Sequence, residues 1–336
     1  MRATSDPSPT ASTALGPVLV TGASGFIGDR MRIRLDRAAA AVRGLDFQTD
    51  LKRGIVAADI SERDGLEAAF AGYEVVVHTA AATRRGITRD IAWRTNVLGT
   101  RNAIEAAVAA GATRFVHLST ARVYGELDDD ADVEETRPVR PSGDFFTDSK
   151  IAAEQVVLQA QAAGEIDCVI LRPGDVYGPG ARQWTVRPVE AIRSNRFVLP
   201  AKGDGVFSPL YVDNLLDATE LACTAPSAPG TVLNVSDGAG VACREFFGHY
   251  ARMLGKGSIP VVPTLAALGL AAVPEAAARI GGTDAEATRA TMRHLARPAT
   301  YSIERAGKVL GYEPAVGLER GMNETEVWLR EHGLLR

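Results

Sequence analysis

The feature that most constrains this chain is a short apolar run, Val18-Leu19-Val20, that leads straight into Thr21-Gly22-Ala23-Ser24-Gly25-Phe26-Ile27-Gly28 and a helical stretch. A buried strand, a glycine turn and a helix in that order form the first βα unit of a nucleotide-binding sheet. Gly22 permits the tight turn, Gly25 lets the backbone approach a pyrophosphate, and Gly28 lets the helix pack close to the strand. The N–H groups that Ser24, Phe26 and Ile27 place around the helix start, with the helix's positive end, face the anion.

The rest of the chain keeps the same rhythm. Apolar strand candidates recur at 41–45, 54–58, 74–78, 114–118 and 168–171, and helical patterns fall between most of them, notably at 66–71, 96–110 and 148–163. Alternation of this kind implies an α/β fold, a Rossmann-type doubly wound parallel sheet covered on both faces. From Gly178 onward prolines and glycines break the pattern, which predicts a smaller mixed C-terminal substrate domain over the carboxyl edge of the sheet. The expected division is a flexible tail at 1–16, a cofactor domain at 17–174 with a return segment at about 209–236, and a substrate domain at 175–208 and 237–336. The segment GTVLNV, 230–235, is expected as a late strand that rejoins the sheet.

Asp46 stands about two dozen residues after the first glycine, at the end of the second strand, where a carboxylate accepts from both ribose hydroxyls. It would repel a 2′-phosphate, so NAD is expected over NADP; Arg43 and Arg30 could pair such a phosphate if turned inward, but both read as surface charge. The charge balance, 37 basic against 41 acidic residues, lacks the basic excess of a nucleic-acid binder. No run of about 18 apolar residues is present to span a membrane. Cys168, Cys223 and Cys243 are odd in number and widely spaced, which predicts free thiols in a reducing cytoplasm and no metal site. The acidic run Asp128-Asp129-Asp130 lacks the ligand spacing of a calcium loop and reads as a solvated loop.

In order along the chain stand TGxxGxxG at 21–28, Asp59-Ile60, His78-Thr79-Ala80-Ala81, Asn96-Val97-Leu98-Gly99-Thr100, Ser119-Thr120-Ala121-Arg122-Val123-Tyr124-Gly125, Ser149-Lys150, and Leu171-Arg172-Pro173-Gly174-Asp175-Val176-Tyr177-Gly178. This ordered set resembles the extended short-chain dehydrogenase/reductase family, which includes NAD-dependent epimerases, dehydratases and 3β-hydroxysteroid-dehydrogenase-like enzymes. The resemblance implies adenine contact for Asp59 and Ile60 and a backbone wall beside the pyrophosphate and ribose for Thr79 to Ala81. It also implies cofactor contacts for Asn96, Pro173 and Gly174, substrate-oxygen binding for Thr120, and for Lys150 a hydrogen bond to the nicotinamide ribose. Phe207 to Leu216 resembles the family's V-D-[DN] element, in which Asp213 would be structural.

One position departs from the pattern. The family's acid/base is the Tyr of Y-x-x-x-K, and four residues before Lys150 stands Phe146, whose ring can neither donate nor accept a proton. Three explanations are open: an inactivated variant of a Tyr enzyme, an enzyme whose acid/base is Tyr124, Tyr177, Asp175 or an ordered water, or a catalytically silent NAD-binding scaffold or sensor.

The substrate is expected to be a small molecule with a secondary alcohol or ketone, with a nucleotide-sugar 4-epimerase or dehydratase as the alternative. Asp175 lies where nucleotide-sugar epimerases place an Asn against a diphosphate, so its charge is expected to repel a nucleotide sugar. Ala121, Arg182 and Trp184 are further substrate candidates, Trp184 by stacking and Arg182 by pairing an anion, with a surface loop as the alternative. The apolar stretch 264–280, interrupted by Pro274, is expected to be a core helix, or else a lid over an apolar substrate. Alanines 103, 106, 107 and 110 suggest a close-packed helix face and hence a homodimer.

Overall fold

The computed structural model describes residues 15–335 apart from 39–40, 84–86, 130 and 282–287. The expected tail therefore lies outside the described residues up to 14, whereas Leu15 is already buried in the core.

The sheet begins with β1 (Val18–Thr21), β2 (Val42–Asp46), β3 (Ile55–Ala57), β4 (Val75–His78) and β5 (Arg114–Leu118). It is completed by the strands Asp167–Pro173 and Thr231–Val235. The seven lie in the order Thr231–Val235, Asp167–Pro173, β5, β4, β1, β2, β3, and every pairing is parallel. The strand order reverses between β1 and β4, and the crevice at such a switch point is where doubly wound sheets bind ligands. The late strand at 230–235 does rejoin the sheet, with Leu233 opposite Leu171.

Helices α1 (Phe26–Leu35), α2 (Leu66–Phe70), α3 (Arg89–Trp93), α4 (Gly99–Ala109) and α5 (Phe145–Ala162) connect the strands. Strands buried on both faces read as near-continuous Val/Ile/Leu runs, and here they divide two cores. Val18, Val20, Val77 and Leu171 pack on one face, while Leu19, Val76, Phe115 and Ile170 pack on the other. Helix α5 starts three residues earlier than expected because Asp144 caps it, its carboxylate accepting from Thr147 N–H at 3.0 Å.

A separate aromatic core, including Tyr177, Phe207, Phe246, Phe247 and Tyr250, forms outside the sheet. Two expectations change here. The 264–280 segment is a helix, Thr264–Gly281, more exposed than a core one: among its described side chains Ala267 and Ala271 are buried against Met292 with Leu268 partly buried beside them, while Leu265 is 84% exposed and Leu270 and Val273 are also exposed. Ala103, Ala106 and Ala107 are buried against Val157 and Ala160 of the same chain, so this small-residue face closes α4 onto α5 and is not free to meet a second copy.

Candidate active site

The glycine turn is built as a cradle. Gly22 has φ +69°, and a Cβ there would lie 2.7 Å from the Ala80 backbone; a Cβ on Gly28 would lie 2.2 Å from Gly22 O. Gly25 caps α1 with extended backbone and no side-chain cap, which leaves first-turn N–H groups at Phe26, Ile27 and Gly28 for an anion. Asp46 closes the turn from β2, with Oδ2 accepting from Ser24 N–H at 2.8 Å and Oδ1 from Phe47 N–H at 2.8 Å. Each oxygen keeps a lone pair for a ribose hydroxyl. Arg43 is exposed, and Arg30 instead donates to Pro179 O at 2.7 Å, so it is not turned toward a 2′-phosphate.

The wall beside the turn is tied to β1. Thr79 Oγ1 donates to Thr21 O at 2.6 Å, and Ala80 N–H donates to Thr21 Oγ1 at 3.3 Å, which carries Ala81 along the same edge. Asp59 forms a local turn with Ser61 N–H, and Ile60 is buried against Gly99. Pro173 and Gly174 end their strand beside Val235, whose carbonyl accepts from Gly174 N–H. Asn96 fastens the wall to α5, with Oδ1 accepting from Ala82 N–H and Nδ2 donating to Ala82 O and Ser149 Oγ.

Lys150 reaches the carboxyl end of β5, which Thr120 follows by two residues. Lys150 is buried, and Nζ donates to Leu118 O at 2.5 Å, two residues before Thr120. Burial lowers the lysine pKa to about 8, against the opposing charge of Glu154. Thr120 also caps the turn that follows, accepting from Arg122 N–H at 3.3 Å. Phe146 sits half-buried in the first turn of α5, one helical turn before Lys150.

No protein group among those expected to replace a tyrosine at 146 is free to do so. Tyr124 OH donates to Asn234 Oδ1 and accepts from Arg172, and burial raises its pKa to about 12. Tyr177 has a hydroxyl without a partner among the described residues, but it is fully buried between Tyr211 and Phe246. Asp175 is buried, accepting from Arg297 Nη2 at 2.7 Å and from His294 Nε2 at 2.6 Å. Burial opposes its ionisation, but His294 and Arg297 outweigh that and hold its pKa well below the carboxylate range.

This cluster overturns the reading of Asp175 as a bare negative charge, because its field is compensated inside the protein. It also removes Trp184 as a stacking platform for ligand: the indole is buried, stacked on His294 and edge-on to Phe207. Ala121 is buried with Tyr124 and Tyr301, and Arg182 is exposed at the surface. His294 and Arg297 were missed because neither lies in a motif. The same holds for Glu154, which accepts from Ser119 Oγ and Arg172, and for His117, which accepts from Lys150.

The profile of the NAD dependent epimerase/dehydratase family matches residues 18–236. The chain belongs to that family. It is an NAD-dependent oxidoreductase/epimerase of the extended short-chain type. It is 30% identical over 317 residues to the 4-hydroxy-2-methyl-3-oxo-4-farnesyl-3,4-dihydroquinoline-1-oxide ketoreductase of Stigmatella aurantiaca, covering 90% of this chain and 94% of that one. It is 28% identical over 337 residues to a 3-beta-hydroxysteroid dehydrogenase of Mycolicibacterium neoaurum, covering 94% and 92%. Among solved structures it is similar to MoeE5 in complex with UDP-glucuronic acid and NAD, with 26% identity, a TM-score of 0.74, and coverage of 94% of this chain and 100% of that one. NAD is the cofactor of this family, and the uncapped start of α1, the glycine cradle and Asp46 fit it.

Proposed function

We propose that this chain acts on a neutral, largely apolar secondary alcohol or ketone and not on a nucleotide sugar. The observation that carries this reading is the Asp175–Arg297–His294 cluster. Arg297 is buried and bonded to Asp175, and the burial-lowered pKa of His294 leaves that ring neutral at pH 7, so the cluster offers a diphosphate no uncompensated cation. The ketoreductase and steroid dehydrogenase among its relatives support the same substrate class.

NAD, when bound, supplies the hydride acceptor or donor. The chain's own part is to fix geometry: Asp46 receives the ribose hydroxyls, Lys150 orients the nicotinamide ribose, and Thr120 holds the substrate oxygen. Asp59, Ile60, Thr79 to Ala81, Pro173 and Gly174 line the cofactor. Phe146 supplies the shape of the family's acid/base but not its proton, so this sequence is a Tyr enzyme lacking one hydroxyl. General acid/base groups contribute about 10²–10⁴-fold. Phe146→Tyr should therefore raise turnover of a hydrophobic hydroxysteroid or β-ketone by roughly that factor. Equal rates in both proteins would refute the missing-hydroxyl reading, and faster turnover of UDP-sugars than of neutral alcohols would refute the substrate class. NAD binding without turnover in either protein would favour the silent scaffold.

The three cysteines are free and buried, which supports a cytoplasmic setting. Ile91 on α3, Leu98 on the helical turn Arg94–Leu98 that joins α3 to α4, and Val108 on α4 are exposed, Leu98 by 52%, which supports a homodimer through that face. Leu98→Glu should then yield monomers in light scattering; a dimer that survives it does not use this face.

A further inference from the structure

Beneath the active-site lysine lies a histidine that no motif predicts. His117 is on β5, with no exposed surface, and its ring stacks on His78 with centroids 5.4 Å apart. The Lys150 ammonium has three donors and no acceptor. One goes to Leu118 O at 2.5 Å and a second to His117 Nε2 at 3.1 Å, which leaves one. We propose that His117 is a positioning residue for Lys150, holding the ammonium against β5 so that its one remaining N–H is left for the nicotinamide ribose. The inference builds on the role that family membership implies for Lys150.

The proton positions follow from the contacts. Because an ammonium can only donate, His117 Nε2 must accept, and the neutral ring carries its hydrogen on Nδ1. That atom is buried without a partner among the described residues. An orphaned buried N–H is costly, so the lone pair on the opposite nitrogen is the feature this ring supplies. A protonated ring would place two cations 3.1 Å apart, and burial, Lys150 and His78 all keep His117 neutral.

The surroundings hold the ring in place. His78 is pinned by Thr21 Oγ1 at 2.9 Å and Thr100 Oγ1 at 3.1 Å; Thr100 donates to Asn96 O, so His78 donates from Nε2 and accepts at Nδ1. The charged and titratable groups facing Lys150 are therefore His117 on β5, His78 on β4, and Glu154 one turn on along α5, itself paired with Arg172 of the neighbouring strand.

Nitrogen-15 NMR of histidine-labelled, cofactor-free protein reads the tautomer directly: His117 should be protonated at Nδ1 and bare at Nε2, and the reverse overturns the proposal. His117→Phe keeps the ring volume and removes the acceptor. It should push the Lys150 titration, followed by lysine-labelled NMR, below its value in the parent chain. It should also weaken NAD binding about tenfold by calorimetry, the loss expected for one hydrogen bond to a charged group. His117→Gln, which restores an acceptor, should recover most of both. If His117→Phe folds and changes neither quantity, or if Gln behaves as Phe does, His117 only fills space.

Discussion

The strongest test of how this site is held together is Glu154→Gln. Glu154 follows Lys150 by one turn of α5 and is wholly buried, while the Arg172 side chain is 6% exposed. Its Oε1 accepts from Ser119 Oγ at 2.5 Å and Arg172 Nε at 3.0 Å, and its Oε2 accepts from Arg172 Nη2 at 2.7 Å. The same guanidinium donates to Tyr124 OH at 2.9 Å and lies 4.9 Å over that ring. One carboxylate thus links α5, the end of β5 and the Asp167–Pro173 strand; Arg172 is its hydrogen-bonded counter-charge, and the buried Lys150 ammonium also lies in its field. Replacing it by the nearly isosteric amide leaves a buried cation without compensation, a loss of about 3–5 kcal/mol. With a urea m-value of roughly 3 kcal/mol/M, the unfolding midpoint should fall by about 1–2 M. Replacing both partners, Glu154→Leu with Arg172→Met, should recover most of that loss, because apolar pairs of similar volume often match buried ion pairs. If Glu154→Gln alone costs less than about 1 kcal/mol, the value of a surface pair, the reasoning fails.

Three further outcomes are expected. Gly28→Ala would set a Cβ 2.2 Å from Gly22 O and 2.8 Å from Thr79 Oγ1, so it should destabilise the protein by about 1–3 kcal/mol and sharply weaken NAD binding in calorimetry; unchanged affinity would show that α1 need not approach the turn. Asp46→Ala should lower the ratio of NADP to NAD dissociation constants measured by fluorescence titration, and a constant ratio would remove Asp46 from cofactor choice. Burial raises the Asp237 pKa from 3.8 to about 7, despite N–H donors from Asn214 and Tyr211. The folded protein then keeps a proton that the unfolded chain releases, so this contribution is complete below about pH 4 and is lost as pH rises through about 7. Asp237→Asn should flatten the melting temperature across that window, and an identical pH slope in both proteins would refute the assignment.

Much of the framework is written locally. The run Val18 to Val20, the three glycines after it, Asp46, and the spacing of Lys150 from position 146 all act through the next few residues, where strand period, turn chemistry and helix repeat decide the outcome. The sheet therefore follows from the order of its elements, and GTVLNV was recognisable as a strand from its own composition. What a charged or aromatic side chain does depends instead on what it meets from far along the chain. Asp175 finds Arg297 122 residues away and Trp184 finds His294 110 residues away, so a carboxylate that reads as exposed charge is neutralised and an indole that reads as a ligand platform is already stacked. The alanines of α4 pack against α5 for the same reason, and His117 gains its meaning only where β5 passes under Lys150. The cofactor fold and the residue types at its turn are legible along the chain, because short-range sterics and hydrophobic period set them. Which charges remain uncompensated emerges with the folded contacts, because burial and pairing join residues that no local pattern connects.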